Sequence, residues 1–188
     1  IADDAVESEH LNDNVISGQT ELASEPADTD EFLVSDAGTL KRVDYSLIKA
    51  SGKVLQVVQG AHSTQASMSS TSFVDVSTNT NVSLTCSSTS NKVLITANFH
   101  ELYLNGSHSI KIRVTAGGTQ IMRADAMALT GASGEKVISQ TLGPFLYSPS
   151  STSAIEYKMQ FASSTGTEVR VDQHSNPAAT LTLMEIEA

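Results

Sequence analysis

The sequence predicts an all-β protein, and three observations support that prediction. From Lys53 onward, short apolar runs alternate with polar residues at a period of two, as in half-buried strands. Clusters of Ser, Thr, Asn and Gly separate these runs at short intervals, which is typical of turns between antiparallel strands. No long helical pattern occurs in this part of the chain. We therefore expect roughly eight to ten short strands in a β-sandwich or barrel, and of the two we expect an antiparallel, jelly-roll-like β-sandwich.

The acidic residues are distributed unevenly, which divides the chain into two parts. Residues 1–50 carry twelve acidic and three basic side chains, a net charge of −9, whereas residues 51–188 carry nine and eight, a net charge of −1. We expect a stalk segment over 1–50 and a β-sandwich tip domain over 51–188. The first part is too short to bury a core alone, and the single Cys86 offers no disulfide, so the stalk needs a partner, which is either another chain or the rest of this one.

Charge and hydropathy also exclude two classes of function. A total net charge of −10 argues against binding to a nucleic-acid backbone. No apolar run approaches the roughly 18 residues that a membrane-spanning helix requires, so we expect no membrane insertion.

In the first part, the sequence predicts a short helix followed by a hairpin. Asp4 and Glu7 have the spacing of a capping box, and Gly18 would end the helix. A thin apolar seam has roughly helical spacing and consists of Ile1, Ala5, Val6, Leu11, Val15 and Ile16. Glu31–Ser35 and Thr39–Tyr45 flank a Gly-containing turn and predict two paired strands. A flexible acidic linker is the alternative.

In the second part, Lys92–Phe99 is the longest and most apolar predicted strand. One of its faces carries Val93, Ile95, Ala97 and Phe99, and the other carries Leu94, Thr96, Asn98 and His100. The second face is mixed, which suits a sheet that meets something other than bulk water. The remaining predicted strands are Val54–Val58, a hairpin of Ser109–Thr115 and Thr119–Ala124, Val137–Leu142, Ile155–Phe161, Glu168–Asp172 and Thr180–Ile186.

Four segments resemble tail fibres of tailed bacteriophages, notably marine ones. Ser24–Val43 is similar to the "D-E-x-L-x-S-D-x-G-x-L-K-R" segment common in these fibres, and Gly52–Val58 resembles the strand that opens their C-terminal domains. Ser148–Phe161 and Met184–Ile186 resemble the middle and the end of the same domain. The resemblance covers most of the chain in the right order.

The resemblance implies a homotrimeric fibre piece in the virion, ending in a globular β-sandwich tip that meets the host cell. Its partners would be two further copies of the chain and a host cell-surface glycan or envelope protein. Because the chain opens at Ile1, we expect a fragment or processed piece whose missing N-terminal region would bind other tail proteins. The motifs carry no receptor-contact residues of the family, so none is transferred.

The sequence gives no pattern for catalysis, a cofactor or a metal. His100-Glu101 would begin a zinc-binding H-E-x-x-H motif, but Leu104 occupies the position of the second histidine. The five histidines lack ligand spacing, although His100 on a trimer axis could bind a metal. Two alternatives to adhesion stay open: a structural fibre or decoration trimer without a receptor, and a glycan-degrading tailspike. The tailspike would need a carboxylate pair from among Asp125, Glu135, Glu156, Glu168 and Asp172.

Three segments are predicted to be loops that contact the receptor, namely Tyr103–His108, Phe145–Pro149 and Gln173–Pro177. Aromatic and imidazole faces stack on sugar rings, and amides form hydrogen bonds with hydroxyls in both directions. The candidate receptor-binding residues are Tyr103, Asn105, His108, Phe145, Tyr147, Gln173, His174 and Asn176. The alternative is that these are turn residues selected for backbone conformation. Because strand direction is not readable, some of these loops could face the stalk.

Overall fold

The structure, a computed structural model, describes residues 16–49, 52–128, 134–172, 174 and 178–188. The chain divides into two compact units, Ile1–Ala50 and Ser51–Ala188. The helix predicted from Asp4 lies outside the described residues except at its end. Neither helical element in the described part of the chain is long and apolar enough to cross a membrane.

The first unit contains the predicted hairpin. Strands β1 (Glu31–Asp36) and β2 (Thr39–Asp44) pair antiparallel, and a single helical turn, α1 (Tyr45–Ile48), follows. The two-residue connection has positive φ at both Ala37 (51°) and Gly38 (84°), as a tight hairpin turn requires. Large apolar side chains of the unit are exposed, including Leu33 at 74% and Leu40 at 69%. A hairpin this exposed gains little from its own packing.

The described residues of the second unit form eleven strands and one 3-10 turn at Thr78–Thr80. The strands are β3 (Val54–His62), β4 (Ala66–Met68), β5 (Val74–Asp75), β6 (Val82–Leu84), β7 (Lys92–Asn105), β8 (Ser109–Ala116), β9 (Thr119–Ala128), β10 (Glu135–Tyr147), β11 (Ile155–Ser163), β12 (Val169–Val171) and β13 (Ala179–Ile186).

These strands form two antiparallel sheets with a jelly-roll connectivity. In the first sheet β3 pairs with β13, and β13 pairs with the N-terminal half of β7. β12 pairs with the C-terminal end of β7 on that same edge, and β4 pairs with β12. β10 pairs with the opposite edge of β7. In the second sheet β5 and β6 pair with β11, followed by β8 and β9. The first long strand lies beside the last, and successive strands cross repeatedly between the sheets. The predicted antiparallel β-sandwich is confirmed.

The core lies between the sheets and follows the predicted alternation along β7. Val93, Ile95, Ala97 and Phe99 are fully buried, whereas the intervening residues are half-buried. Tyr157, Met159 and Phe161 of β11 and Leu181 and Leu183 of β13 are also buried in this core. Fully burying side chains of this size stabilises a fold by about 1.5–3 kcal/mol each, so the two inner faces account for most of the driving force. Cys86 is a buried free cysteine.

A bulge at Glu101 lengthens β7 beyond the strand predicted from the sequence. Glu101 has a φ of 42°, and its N–H donates to Ser139 Oγ at 3.1 Å. The extra residue reverses the alternation, so that Leu102 and Leu104 now point into the core. Tyr103 therefore moves to the outer face of the sheet.

Glu185 on β13 fixes the loop before β7 from inside the protein. Its carboxylate accepts hydrogen bonds from the Ser87 N–H at 2.7 Å, the Ser87 hydroxyl at 2.8 Å and Asn91 Nδ2 at 2.7 Å, and a fourth from Gln56 Nε2. Burial raises the pKa of this carboxyl, but the hydrogen bonds outweigh burial and lower the pKa to about 2. The carboxylate is thus ionised and fully partnered, although Glu185 is only 1% exposed.

Gly60 on β3 lies too close to a neighbouring segment to accept a side chain. A Cβ at this position would lie 2.5 Å from the Asn79 backbone oxygen and 2.8 Å from Val82 Cγ1. Substituting Gly60→Ala is expected to lower the free energy of unfolding by about 1–3 kcal/mol through overpacking. Chemical denaturation at one protein concentration measures the change, with Ser83→Thr on the exposed side of β6 as a control that also adds one carbon. An unchanged midpoint for Gly60→Ala would contradict the close packing.

Candidate functional site

The sandwich has two ends, distinguished by the register of the first sheet. At the proximal end Val54 and Lys92 pair with Ile186, so the chain enters the Ser51–Ala188 unit there. At the distal end His62 pairs with Ala179, and Asn105 pairs with Glu135. A surface that binds a partner through one end of a sandwich uses the groups gathered at that end.

The structure separates the three predicted loops and corrects two of them. Tyr103 and Asn105 lie in strand β7, and Phe145 and Tyr147 lie in strand β10, so the loop prediction is wrong for the first part of each segment. Residues 106–108 and 148–149 lie between strands, as predicted. Tyr103, Asn105 and His174 are at the distal end, whereas Tyr147 pairs with Val93 at the proximal end. Gln173 and Asn176 lie outside the described residues.

Tyr103 is held in contacts that leave its ring unavailable to a sugar. The side chain is 5% exposed, and the Arg170 guanidinium lies over the ring, 4.6 Å from its centroid. The hydroxyl donates to Glu135 Oε1 at 2.9 Å, a hydrogen bond that raises the pKa of Tyr103. Tyr103 therefore contributes to the rigidity of the distal end rather than to a stacking face.

Of the other candidates, His108 is buried and Tyr147 is half-buried. His108 is 7% exposed, and its Nε2 has no hydrogen-bond partner among the described residues. Tyr147 packs edge-on against Tyr157, with ring centroids 6.3 Å apart. Phe145 is 39% exposed and lines an open groove between β9 and β10, with Met122 and Arg123 on the opposite side.

At the bulge in β7, two neighbouring residues of that strand meet two residues that follow β12, about 70 positions later in the sequence. We call His100, Glu101, Asp172 and His174 the distal cluster. Glu101 Oε2 accepts from the His174 N–H at 2.7 Å and from His174 Nδ1 at 3.0 Å. The Asp172 N–H donates to the His100 carbonyl at 2.9 Å, and its carboxylate lies 3.6 Å from His100 Nδ1. Of the four, His174 was predicted as a receptor-binding residue, whereas His100 was considered only for a metal and Asp172 only for a catalytic carboxylate pair.

The two carboxyl groups of the distal cluster have opposite electrostatic environments. Asp172 is fully buried, and burial raises its pKa from 3.8 to about 6, although it accepts a hydrogen bond from the Ala179 N–H at 3.0 Å. For Glu101, burial raises the pKa, but the two hydrogen bonds from His174 outweigh burial and lower the pKa overall. Glu101 is therefore an anion whose side chain is 21% exposed, beside a histidine that is 64% exposed.

This arrangement offers charged and polar groups for recognition of a polar partner. In the described part of the chain, no group of three or more His, Cys, Asp or Glu side chains is arranged to hold a metal ion. Three of the carboxylates considered for a tailspike form ion pairs instead: Asp125 with Arg123 at 3.1 Å, Glu156 with Lys158 at 3.3 Å and Glu168 with Arg170 at 2.6 Å. The distal end thus presents anions, imidazoles and a guanidinium, which can donate and accept hydrogen bonds.

Comparisons with known proteins find only distant structural likenesses. No protein-family model and no curated protein sequence matches the chain. The chain is similar to the VP2 subviral particle of infectious bursal disease virus, with a TM-score of 0.37 and 11% identity, over 85% of this chain and 38% of that one. It is also similar to the T13 particle of the same virus, with a TM-score of 0.38 and 13% identity, over 85% of this chain and 40% of that one. The chain thus spans well under half the length of these proteins, and TM-scores this low do not support an inference about function.

Proposed function

We propose that the chain is the distal segment of a tail fibre of a tailed bacteriophage. In this proposal it is a virion component, a homotrimer, and a non-enzymatic adhesin for the surface of a bacterial host. The receptor would be a cell-surface glycan or a polar envelope protein.

The observation that carries the proposal is the conformation of the segment that resembles phage fibres. Residues 31–44 of that segment form a regular hairpin, yet Leu33 and Leu40 remain more than two-thirds exposed. Ordered strands with this much exposed apolar surface are stable when further chains cover them. The jelly roll that follows it in sequence supplies the globular tip that the resemblance implies.

The distal end is the part of the tip that we propose to meet the cell. The link from residues 1–50 joins the sandwich at Val54, so the distal end is the part of that unit farthest from the link. The bulged strand β7 and the Tyr103–Arg170 contact hold its polar groups in place. Glu101 accepts and His174 donates hydrogen bonds at the surface, which suits the hydroxyls of a sugar or the polar groups of a protein.

Binding to cells tests this proposal. Fluorescently labelled full-length chain, incubated with a panel of bacterial isolates, is expected to give saturable binding to at least one of them, which excess unlabelled chain displaces. The culture supernatant is expected to contain no released reducing sugar. Non-saturable binding to every isolate would contradict specific adhesion, and sugar release would favour a glycan-degrading enzyme.

A further inference from the structure

We propose that the outward face of the first sheet packs against the same face of further copies of this chain around a shared axis. We call this surface the neutral face. It comprises the outward side chains of β3, β13, β7 and β10 that lie between Lys92 and the bulge. The inference rests on the proposed homotrimer and identifies the surface through which the tip domains would associate.

The pairing register places the outward residues of the neutral face in three rows across the sheet. From the proximal end the rows are Val57, Met184, Leu94 and Leu146; then Gln59, Thr182 and Thr96; then Ala61, Thr180, Asn98 and Thr141. None of these residues carries a charge. Lys92 and His100 lie on β7 just beyond the two ends of the face.

The first row is an apolar stripe that crosses four strands. Val57 is 57% exposed and Leu146 is 47% exposed, at its two edges. Val54 and Leu55, at the start of β3, add side chains that are 52% and 43% exposed. Scattered exposed apolar residues are ordinary, but neighbouring ones that form a continuous patch are typical of a surface that is covered by a partner.

The second sheet of the same unit shows what a solvent-facing sheet looks like in this protein. Its outward positions carry Lys111, Arg113, Arg123 and Lys158 together with Asp75, Asp125 and Glu156. Arg113 donates to Gln160, Gln160 donates to Asp75, and Lys158 lies 3.3 Å from Asp75. The outward face of the second sheet is therefore charged and that of the first sheet is uncharged, although both belong to the same unit.

Charge favours a copy of this chain as the occupant of the neutral face. Residues 1–50 of each copy carry a net charge of −9 and residues 51–188 one of −1, so associated copies already repel through their first parts, and like charges at the tip contact would add to that repulsion. The neutral face brings no like charges together, and its threonine and amide side chains can form hydrogen bonds across a symmetric contact. The exposed Leu33 and Leu40 of the hairpin show that the same chain has a second apolar surface to cover. Repeated self-association of identical subunits about an axis covers such surfaces on every copy.

Cysteine labelling tests whether the neutral face is covered in solution. Val57→Cys places a thiol at the edge of the apolar stripe, and Gln120→Cys places one at an exposed position of β9; the native Cys86 is 3% exposed and provides a low background. In the native protein we expect a maleimide to react with Val57→Cys about tenfold more slowly than with Gln120→Cys, and at equal rates in denaturant. Equal rates in the native protein would overturn the inference.

A charge substitution gives an independent readout. Light scattering of the unmodified chain and of Gln120→Glu is expected to give three times the chain mass of 19.8 kDa, whereas Thr182→Glu is expected to give a lower mass. If the unmodified chain is monomeric, the proposed homotrimer fails. Suppose instead that the unmodified chain is trimeric, that Thr182→Glu is also trimeric, and that Val57→Cys reacts as fast as Gln120→Cys. The homotrimer then stands, and only the assignment of the neutral face to its interface fails. If Thr182→Glu does not fold, the labelling rates decide.

Discussion

Replacing Glu185 with alanine is expected to lower the free energy of unfolding by about 3–5 kcal/mol, because the variant loses the acceptor of four hydrogen bonds inside the protein. The Ser87 N–H and the Asn91 amide, which donate to Glu185 at 2.7 Å each, would be left without that acceptor. Glu187→Ala, the same change two residues away, is expected to alter stability by less than about 0.5 kcal/mol. Chemical denaturation of both variants at one protein concentration makes the comparison.

The loss of unfolding free energy in the Glu185→Ala variant should depend on pH. The folded-state pKa of Glu185 is lowered from 4.5 to about 2, so its carboxylate stabilises the protein fully above pH 4.5. As the pH falls from 4.5 toward 2, the difference between the parent and the variant is expected to shrink. A difference that is the same at neutral and acid pH would show that the loss is one of packing alone.

Replacing Asp172 with asparagine is expected to stabilise the protein at neutral pH. The folded-state pKa of Asp172 is raised from 3.8 to about 6, so the folded protein holds this proton more tightly than the unfolded chain does. The contribution of Asp172 to stability is therefore greatest below pH 3.8 and declines as the pH rises to 6. Asparagine avoids the burial of a charge while its oxygen can still accept from the Ala179 N–H.

The expected gain for Asp172→Asn is about 1–3 kcal/mol at pH 7, with little difference from the parent near pH 4. Comparison of the two proteins at each pH removes the contributions of other titrating groups, including Glu185. Asp125→Asn, at an exposed carboxylate on β9, is the control and should show no such trend. An Asp172→Asn variant that loses stability at pH 7 would contradict a buried, destabilising carboxylate.

The fold was predictable because its signals are local. The alternation of Val93, Ile95, Ala97 and Phe99 specifies a strand with one buried face regardless of what lies around it. The Ser109–Ala124 hairpin follows in the same way from two such runs around a glycine pair. The sequence predicted the fold class but not the order of the strands in each sheet, since no short pattern specifies which strands pair.

The predicted ends of two strands were wrong, because pairing with neighbouring strands extended them beyond the local sequence pattern. The predicted strand ends at Leu142, but β10 continues through Gly143 and Pro144 to Tyr147, because β10 is an edge strand, where proline removes no essential hydrogen bond. The bulge at Glu101 similarly extends β7 through Tyr103 and Asn105, which the sequence placed in a loop.

The distal cluster could not be predicted from the sequence, for a different reason. Glu101 and His174 are separated by 73 positions and meet only because β7 and the segment after β12 lie side by side. Neither residue belongs to a spaced motif, and the residues around Tyr103 suggested stacking on sugars. Burial under Arg170 reverses that expectation, and burial is a property of the packed structure.

Adsorption of two matched variants tests the central claim that the distal end binds the host. On a bacterial isolate that binds the parent chain, the double variant Glu101→Gln/His174→Ala is expected to bind at least about tenfold more weakly, with its oligomeric mass and melting temperature unchanged. Phe145→Ala, which alters the groove between β9 and β10, is expected to bind like the parent. Full binding by the double variant, with loss of binding by Phe145→Ala, would contradict the account and place the receptor site at that groove.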